Sequence, residues 1–129
     1  MPALPLPDQV AKKVHAYTGT YGAGLGSTRV KDLVDLVLIA GMAAFAASSL
    51  WDALTRTFDG RGTHPLPAAL PPSPASWAVA YRRIATTVGI APDVLAGHGS
   101  AAALLDPVLG HTSVMDATWD AAAGRWLDR

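Results

Sequence analysis

A chain of 129 residues, half of them apolar, can bury one core and is too short for two ordinary domains. It has no cysteine, which excludes a disulfide scaffold, a thiolate metal site and a thiol nucleophile, and fits a reducing cytoplasm. Ten basic and ten acidic side chains cancel, so the overall positive charge of a protein that grips nucleic acid by itself is missing.

The charge is uneven along the chain. Lys12, Lys13, Arg29 and Lys31 face only Asp8 in residues 1–31, whereas arginines are outnumbered by aspartates afterwards. A phosphate-facing surface is therefore expected near the front. Met1 to Pro7 alternates prolines and reads as an extended lead-in, without the basic start of a secretory signal. Asp8 is expected to cap a helix whose apolar face is Val10, Val14 and Tyr17, with Lys12 and Lys13 off that stripe. Thr18 to Thr28 reads as a glycine-rich loop, and Ser27 or Thr28 as the cap of a second helix starting near Val30.

Leu33, Val34, Val37 and Leu38 make the apolar stripe of that second helix, and Leu36 and Ile39 imply that it is covered on most sides. Gly41-Met42 is a break. A third helix is expected from about Ala43 to Phe58, ending at Asp59-Gly60-Arg61-Gly62. The uncharged run Leu36–Trp51 is 16 residues long, short of the roughly 20 needed to span a membrane. A buried helix pair is the better reading, and no membrane partner is expected.

Thr63 to Pro74 holds five prolines and reads as a rigid linker over the surface. Ser73 or Ser76 can start a fourth helix carrying Trp77, Tyr81, Ile84 and Val88, stopped by Gly89. Ala91-Pro92-Asp93 opens a fifth, expected to reach Leu105 and to end or kink at Asp106-Pro107. Thr118-Trp119-Asp120 and Arg125-Trp126-Leu127 flank a glycine-ended turn and read as a β-hairpin. The fold class is mostly α: a small bundle of about five helices with a short C-terminal hairpin. One domain is expected, with residues 1–62 before the linker 63–74 and residues 75–129 after it.

Asp32 and Asp35 are three apart, so both carboxylates share one side of the second helix. If the first two helices pack side by side, Lys13 meets that side. Like charges raise each other's pKa, so two close carboxylates call for a cation, which Lys13, Arg29 or Lys31 could supply. The plainer interpretation is a pair of local contacts, Lys31 with Asp35 and Arg29 with Asp32. His15, His64, His98 and His111 have no metal-ligand spacing and read as exposed histidines, those after the first in loops; no metal site is expected. Trp51 and Trp77 are expected as core anchors, Trp119 and Trp126 as a cross-strand pair covering a helix.

Leu6-Pro7-Asp8-Gln9-Val10-Ala11-Lys12-Lys13-Val14, followed by Ser27-Thr28-Arg29-Val30-Lys31-Asp32-Leu33-Val34-Asp35-Leu36, resembles a hallmark of the AbiEii/AbiGii nucleotidyl transferase toxin family. Leu104-Leu105-Asp106-Pro107-Val108-Leu109 and the closing Thr118-Trp119-Asp120 to Gly124-Arg125-Trp126 are also similar to members of it. The resemblance implies transfer of a nucleotide from an NTP, with Mg2+, to an acceptor such as a tRNA 3′ end, in a cytoplasmic toxin–antitoxin system serving phage defence by abortive infection, with a cognate antitoxin as partner. It assigns Lys13, Asp32 and Asp35 as catalytic candidates and Lys13, Arg29 and Lys31 as phosphate-facing ones. Asp35 is favoured over Asp32 as lying deeper in the apolar helix.

The sequence has no Gly-Gly or Gly-Ser turn followed by an Asp-x-Asp pair, which is the family's metal-holding pattern. Gly22-Ala23-Gly24-Leu25-Gly26 follows a helix, lacks a following Gly-Lys-Ser/Thr, and reads as a connector. The expectation is a C-terminal fragment, inactive alone, to which Mg2+ and NTP are not expected to bind strongly. The competing expectation is a non-catalytic helical interaction module, marked by an exposed apolar patch over Ala43 to Leu54.

Overall fold

A computed structural model describes residues 5–19, 26–62, 65–110 and 116–127. The glycine-rich connector at 20–25, His64 and His111 lie outside the described residues. Five helices and a terminal hairpin follow one another: α1 (Leu6–Thr18), α2 (Gly26–Ala40), α3 (Ala47–Arg61), α4 (Ala78–Val88), α5 (Val94–Leu109), β1 (Thr118–Asp120) and β2 (Arg125–Leu127). The mostly helical class with a C-terminal hairpin is as the sequence pattern implied.

α1 starts two residues before the expected cap. Pro5 precedes it without a side-chain cap, and Pro7, whose φ is pre-set for a helix, lies in the first turn. Asp8 sits in that turn instead, where the helix dipole favours a carboxylate, and reaches Arg56 of α3 at 3.2 Å. Val10, Ala11, Val14 and Tyr17 are buried, and α1 packs on α3 and α2.

α2 begins at Gly26, so Ser27 and Thr28 lie inside its first turn rather than ahead of it. Burial of Val30, Leu33, Val34 and Leu36 supplies the packing that sustains the added turn. α3 begins at Ala47, later than expected. The preceding residues are extended because the hairpin uses them: Trp119 N–H donates to the Phe45 carbonyl at 3.0 Å, and Ala47 N–H to the Ala117 carbonyl at 3.0 Å. Gly62, at φ 62°, closes α3 in the left-handed conformation that glycine adopts without strain. Leu50, Ala53 and Leu54 are fully buried. Within Ala43 to Leu54, Ala43, Ala47, Leu50, Ala53 and Leu54 thus turn into the core, Phe45 and Trp51 are half-buried, and Ala44, Ser48, Ser49 and Asp52 are exposed.

The proline-rich segment is more than a spacer. Leu70 is buried, its N–H donates to Asp106 Oδ1 at 2.7 Å, and its carbonyl lies 3.0 Å from His98 Nε2. Tyr17 donates from its hydroxyl to the Pro71 carbonyl at 2.7 Å. Ser73 does not cap α4; its Oγ lies 3.1 Å from that same hydroxyl. A 3₁₀ turn at Ala75–Trp77 leads into α4, which Gly89 closes at φ 83°.

Asp93 caps α5 by accepting from Leu95 N–H at 3.0 Å. The helix runs to Leu109 through Pro107, past the expected end. Proline removes the N–H that would bond to the carbonyl of residue 103. Ala103 is on the exposed face, so water can reach that carbonyl, while Leu104, Leu105, Val108 and Leu109 are buried. Each such side chain contributes about 1.5–3 kcal/mol by burial, enough to carry the helix one turn further.

The hairpin pairs Trp119 with Trp126 across β1 and β2, their rings 5.3 Å apart and edge to face. Trp119 donates from Nε1 to the Ala40 carbonyl at 2.8 Å, and Trp126 to the Leu104 carbonyl at 2.9 Å. The hairpin thereby clips the C-terminal end of α2 to α5.

Candidate functional site

Lys13 of α1 and Asp32 and Asp35 of α2 come together in the cleft between those helices. Lys13 Nζ lies 2.8 Å from Asp35 Oδ2 and 3.4 Å from Asp32 Oδ1. Arg29, one turn before Asp32, places Nη1 3.1 Å from Asp32 Oδ2. Two cations and two carboxylates therefore form one connected, charge-balanced cluster. It exists because Val10 and Val14 of α1 and Val30, Leu33 and Val34 of α2 are buried, which leaves the flanking polar positions facing each other across the cleft.

The members are not equally placed. Asp32 is 9% exposed in its side chain and Arg29 18%, whereas Lys13 and Asp35 are 33% and 27% exposed. Asp35 is thus the more accessible carboxylate, opposite to the reason for which it was favoured: Asp32, which faces α1 beneath it, is the deeper one. The Lys13 pKa is raised above its ordinary value by the hydrogen bond to Asp35 first, against partial burial, with further support from the charges of both aspartates. The amine therefore stays charged across the physiological range. An ammonium has three donors; two point at Asp35 and Asp32, and the third has no acceptor among the described residues.

Lys31 is exposed and outside the cluster. The expected Lys31–Asp35 pair does not form, because Asp35 turns to the ammonium across the cleft. The expected Arg29–Asp32 contact does form. His15 is not an exposed group: it is buried, edge-on to Phe58 with ring centroids 5.0 Å apart. His98 lies within α5, half-buried on the Leu70 carbonyl. Trp51 and Trp77 flank the core rather than anchoring it.

A family model described as nucleotidyl transferase AbiEii toxin, type IV toxin–antitoxin system, matches residues 1–109 of the 129. The chain belongs to the AbiEii family. No curated protein and no solved structure matches it significantly. The AbiEii match spans the whole charged cluster and all five helices, and the hairpin lies beyond it.

AbiEii membership implies nucleotide transfer, which generally uses a metal ion and an NTP. The described residues of this chain do not fit the metal: no three His, Cys, Asp or Glu side chains converge, and Asp32 and Asp35 are already compensated by Arg29 and Lys13. The half-buried ammonium of Lys13 is a group whose chemistry suits a phosphate oxygen. No helix among the described residues is long and apolar enough to cross a membrane.

Sequence reasoning missed one feature. A cleft of about 500 Å3 lies between the end of α2, the outer face of α5 and the hairpin, lined by Val37, Gly41, Ala96, Ser100, Ala103 and Trp119 among others. Its signal was present as Ala96, Gly99, Ser100 and Ala103, small residues at helical spacing on one face of α5.

Proposed function

We propose that this AbiEii-family chain contributes the lysine–aspartate face of a nucleotidyl-transfer site, and that it transfers no nucleotide alone. The observation that carries this reading is the 2.8 Å contact between Lys13 and Asp35, two residues far apart in sequence and partly open to solvent. In the transfer, an acceptor oxygen bonds to the α-phosphorus of the NTP, the bond from that phosphorus to its bridging oxygen breaks, and pyrophosphate leaves. Lys13 offers its free donor to the leaving phosphates, where negative charge grows. Asp35 orients the ammonium and keeps it charged. No Gly-Ser turn followed by an Asp-x-Asp pair occurs in the sequence, so the metal-bridging part of the site has to come from elsewhere. A tRNA 3′ end as acceptor, a cognate antitoxin as partner, cytoplasmic location and a role in phage defence complete the reading by family.

ATP is the probe for a direct test. Binding to the purified chain, followed by NMR titration, should weaken about tenfold or more in Lys13→Ala, the worth of one charge-assisted hydrogen bond. Unchanged affinity would remove the phosphate role. Incubation with labelled NTPs, tRNA and Mg2+ should leave transfer at background; robust transfer by the chain alone would overturn the second half of the proposal.

A further inference from the structure

The zero net charge hides a division of charge between two layers of helices. α2 packs between α1 and α4; α3 packs on α1 and α5, and α5 on α2. The layer of α1, α2 and α4 carries Lys12, Lys31, Arg82 and Arg83, all exposed and all without a carboxylate partner among the described residues. The aspartates of that layer already hold cations: Asp8 holds Arg56, Asp32 holds Arg29 and Lys13, and Asp35 holds Lys13. The rest of the molecule is the reverse. Asp52, Asp59, Asp93 and Asp116 are exposed there and hold no cation among the described residues, against the two exposed arginines Arg61 and Arg125.

Lys31 joins the basic layer to the candidate site. It is the exposed residue among those described in α2, and it lies one turn before Asp35, on the same side of the helix. The strip of α2 left open between α1 and α4 thus carries Lys31 and the carboxylate that holds Lys13. α4 runs alongside, with packed helix axes roughly 8–10 Å apart. No acidic residue occurs from Thr63 to Pro92, so nothing within that stretch neutralises Arg82 and Arg83. Successive helix residues are about 100° apart, so the two guanidiniums spread over the solvent side of α4.

We propose that the face of Lys31, Arg82 and Arg83 holds the phosphate backbone of the RNA whose end is presented at Lys13 and Asp35. The purpose of this contact rests on the nucleotidyl-transfer reading. Phosphates supply most of the affinity of a nucleic acid for a basic surface and fix its register there. A protein partner fits less well, because protein interfaces are depleted of charge at their centre, where this face carries its cations. The acidic side of the molecule repels the same strand, so the division of charge also sets which side the RNA approaches.

The test compares equal losses of charge on the two sides. Binding of fluorescently labelled tRNA to the full chain is followed by anisotropy over a salt series, without NTP. R82Q/R83Q is expected to weaken binding about tenfold or more at low salt and to flatten the dependence of log affinity on log salt by about 1–2. Lys31→Gln is expected to flatten it by about 1. R61Q/R125Q removes the same charge from the other side and is expected to bind within about twofold of the parent near 0.15 M salt, where distant charges are screened. All these positions are exposed, so the variants are expected to keep the parent fold.

Equal weakening by the two double variants would overturn the proposal and leave only net charge at work. So would tRNA binding that R82Q/R83Q leaves unchanged, or no tRNA binding by the parent. Polyglutamate that displaces tRNA at equal charge would overturn it too, and make the face a dock for an acidic protein. The outcome is separable from the reading beneath it. Loss of tRNA in R82Q/R83Q, with ATP affinity untouched by Lys13→Ala, keeps the RNA face and removes the phosphate role of Lys13. The converse pair of results removes the RNA face and keeps that role.

Discussion

Tyr81 is fully buried, and its hydroxyl has no hydrogen-bond partner among the described residues. A buried hydroxyl left unpaired gives up its water contacts for nothing. Tyr81→Phe should therefore leave stability at neutral pH within about 1 kcal/mol of the parent or raise it, measured by urea unfolding; a larger loss would show that the hydroxyl is satisfied in solution. The same residue contributes to the pH response. Burial raises the pKa of Tyr81 and Tyr17, for Tyr81 with help from the Asp93 charge, and Asp35 raises that of Lys13. For all three the folded value exceeds the ordinary one, so the unfolded chain loses its protons first. Their stabilisation is complete below the unfolded values and is lost as pH rises through the folded ones. The melting temperature should thus fall as pH climbs above about 10, the ordinary tyrosine value, and fall less steeply in Tyr81→Phe. A flat profile through that window would contradict the burial of these groups.

At the scale of elements, the approach of α4 to α5 depends on one missing methyl. A Cβ at Gly97 would collide with the Tyr81 phenol, so glycine in mid-helix is the condition for the crossing, although it weakens the helix itself. Gly97→Ala should cost about 1–3 kcal/mol by overpacking despite the better helix propensity, and Tyr81→Leu should recover part of that loss in the double variant. Stabilisation by Gly97→Ala would show that the two helices separate freely. The same side of the molecule ties down the proline-rich segment, since His98 and Asp106, two turns apart on α5, engage the carbonyl and N–H of Leu70. The surface pair Arg56–Asp8, with Arg56 68% exposed, is worth little by comparison, because solvent screens it.

For the molecule as a whole, the hairpin is the closing element. Trp119 is 2% exposed and bonds to the last turn of α2, although it lies outside the family match. Trp119→Ala should cost about 3–5 kcal/mol, the range for a large aromatic removed from a core, as seen by urea unfolding. It should leave the Lys13 titration unchanged in the folded state, because the hairpin clips the far end of α2 from Asp32. A shift in that titration would mean that the hairpin also sets the α1–α2 cleft.

Much of this was readable from the chain alone. Helix content, the break at Gly41, the stop at Gly89 and the Trp119–Trp126 pairing follow from local rules: apolar residues at helical spacing, glycine where a left-handed residue is needed, aromatics opposite each other on two strands. The grouping of Lys13 with Asp32 and Asp35 was also legible, since two helices joined by a short connector must bring their neighbouring faces together. Other features depend on contacts between residues distant in sequence. The start of α3 is delayed because residues 45–47 bond to a strand that comes some 70 residues later. α5 continues through Pro107 because burial outweighs one lost backbone bond. Which aspartate is deep, which is exposed, and which cation each one holds are matters of relative depth in the α1–α2 cleft. Periodicity assigns a residue to a face of its helix; only the packing of the neighbouring helix decides how far that face lies from water.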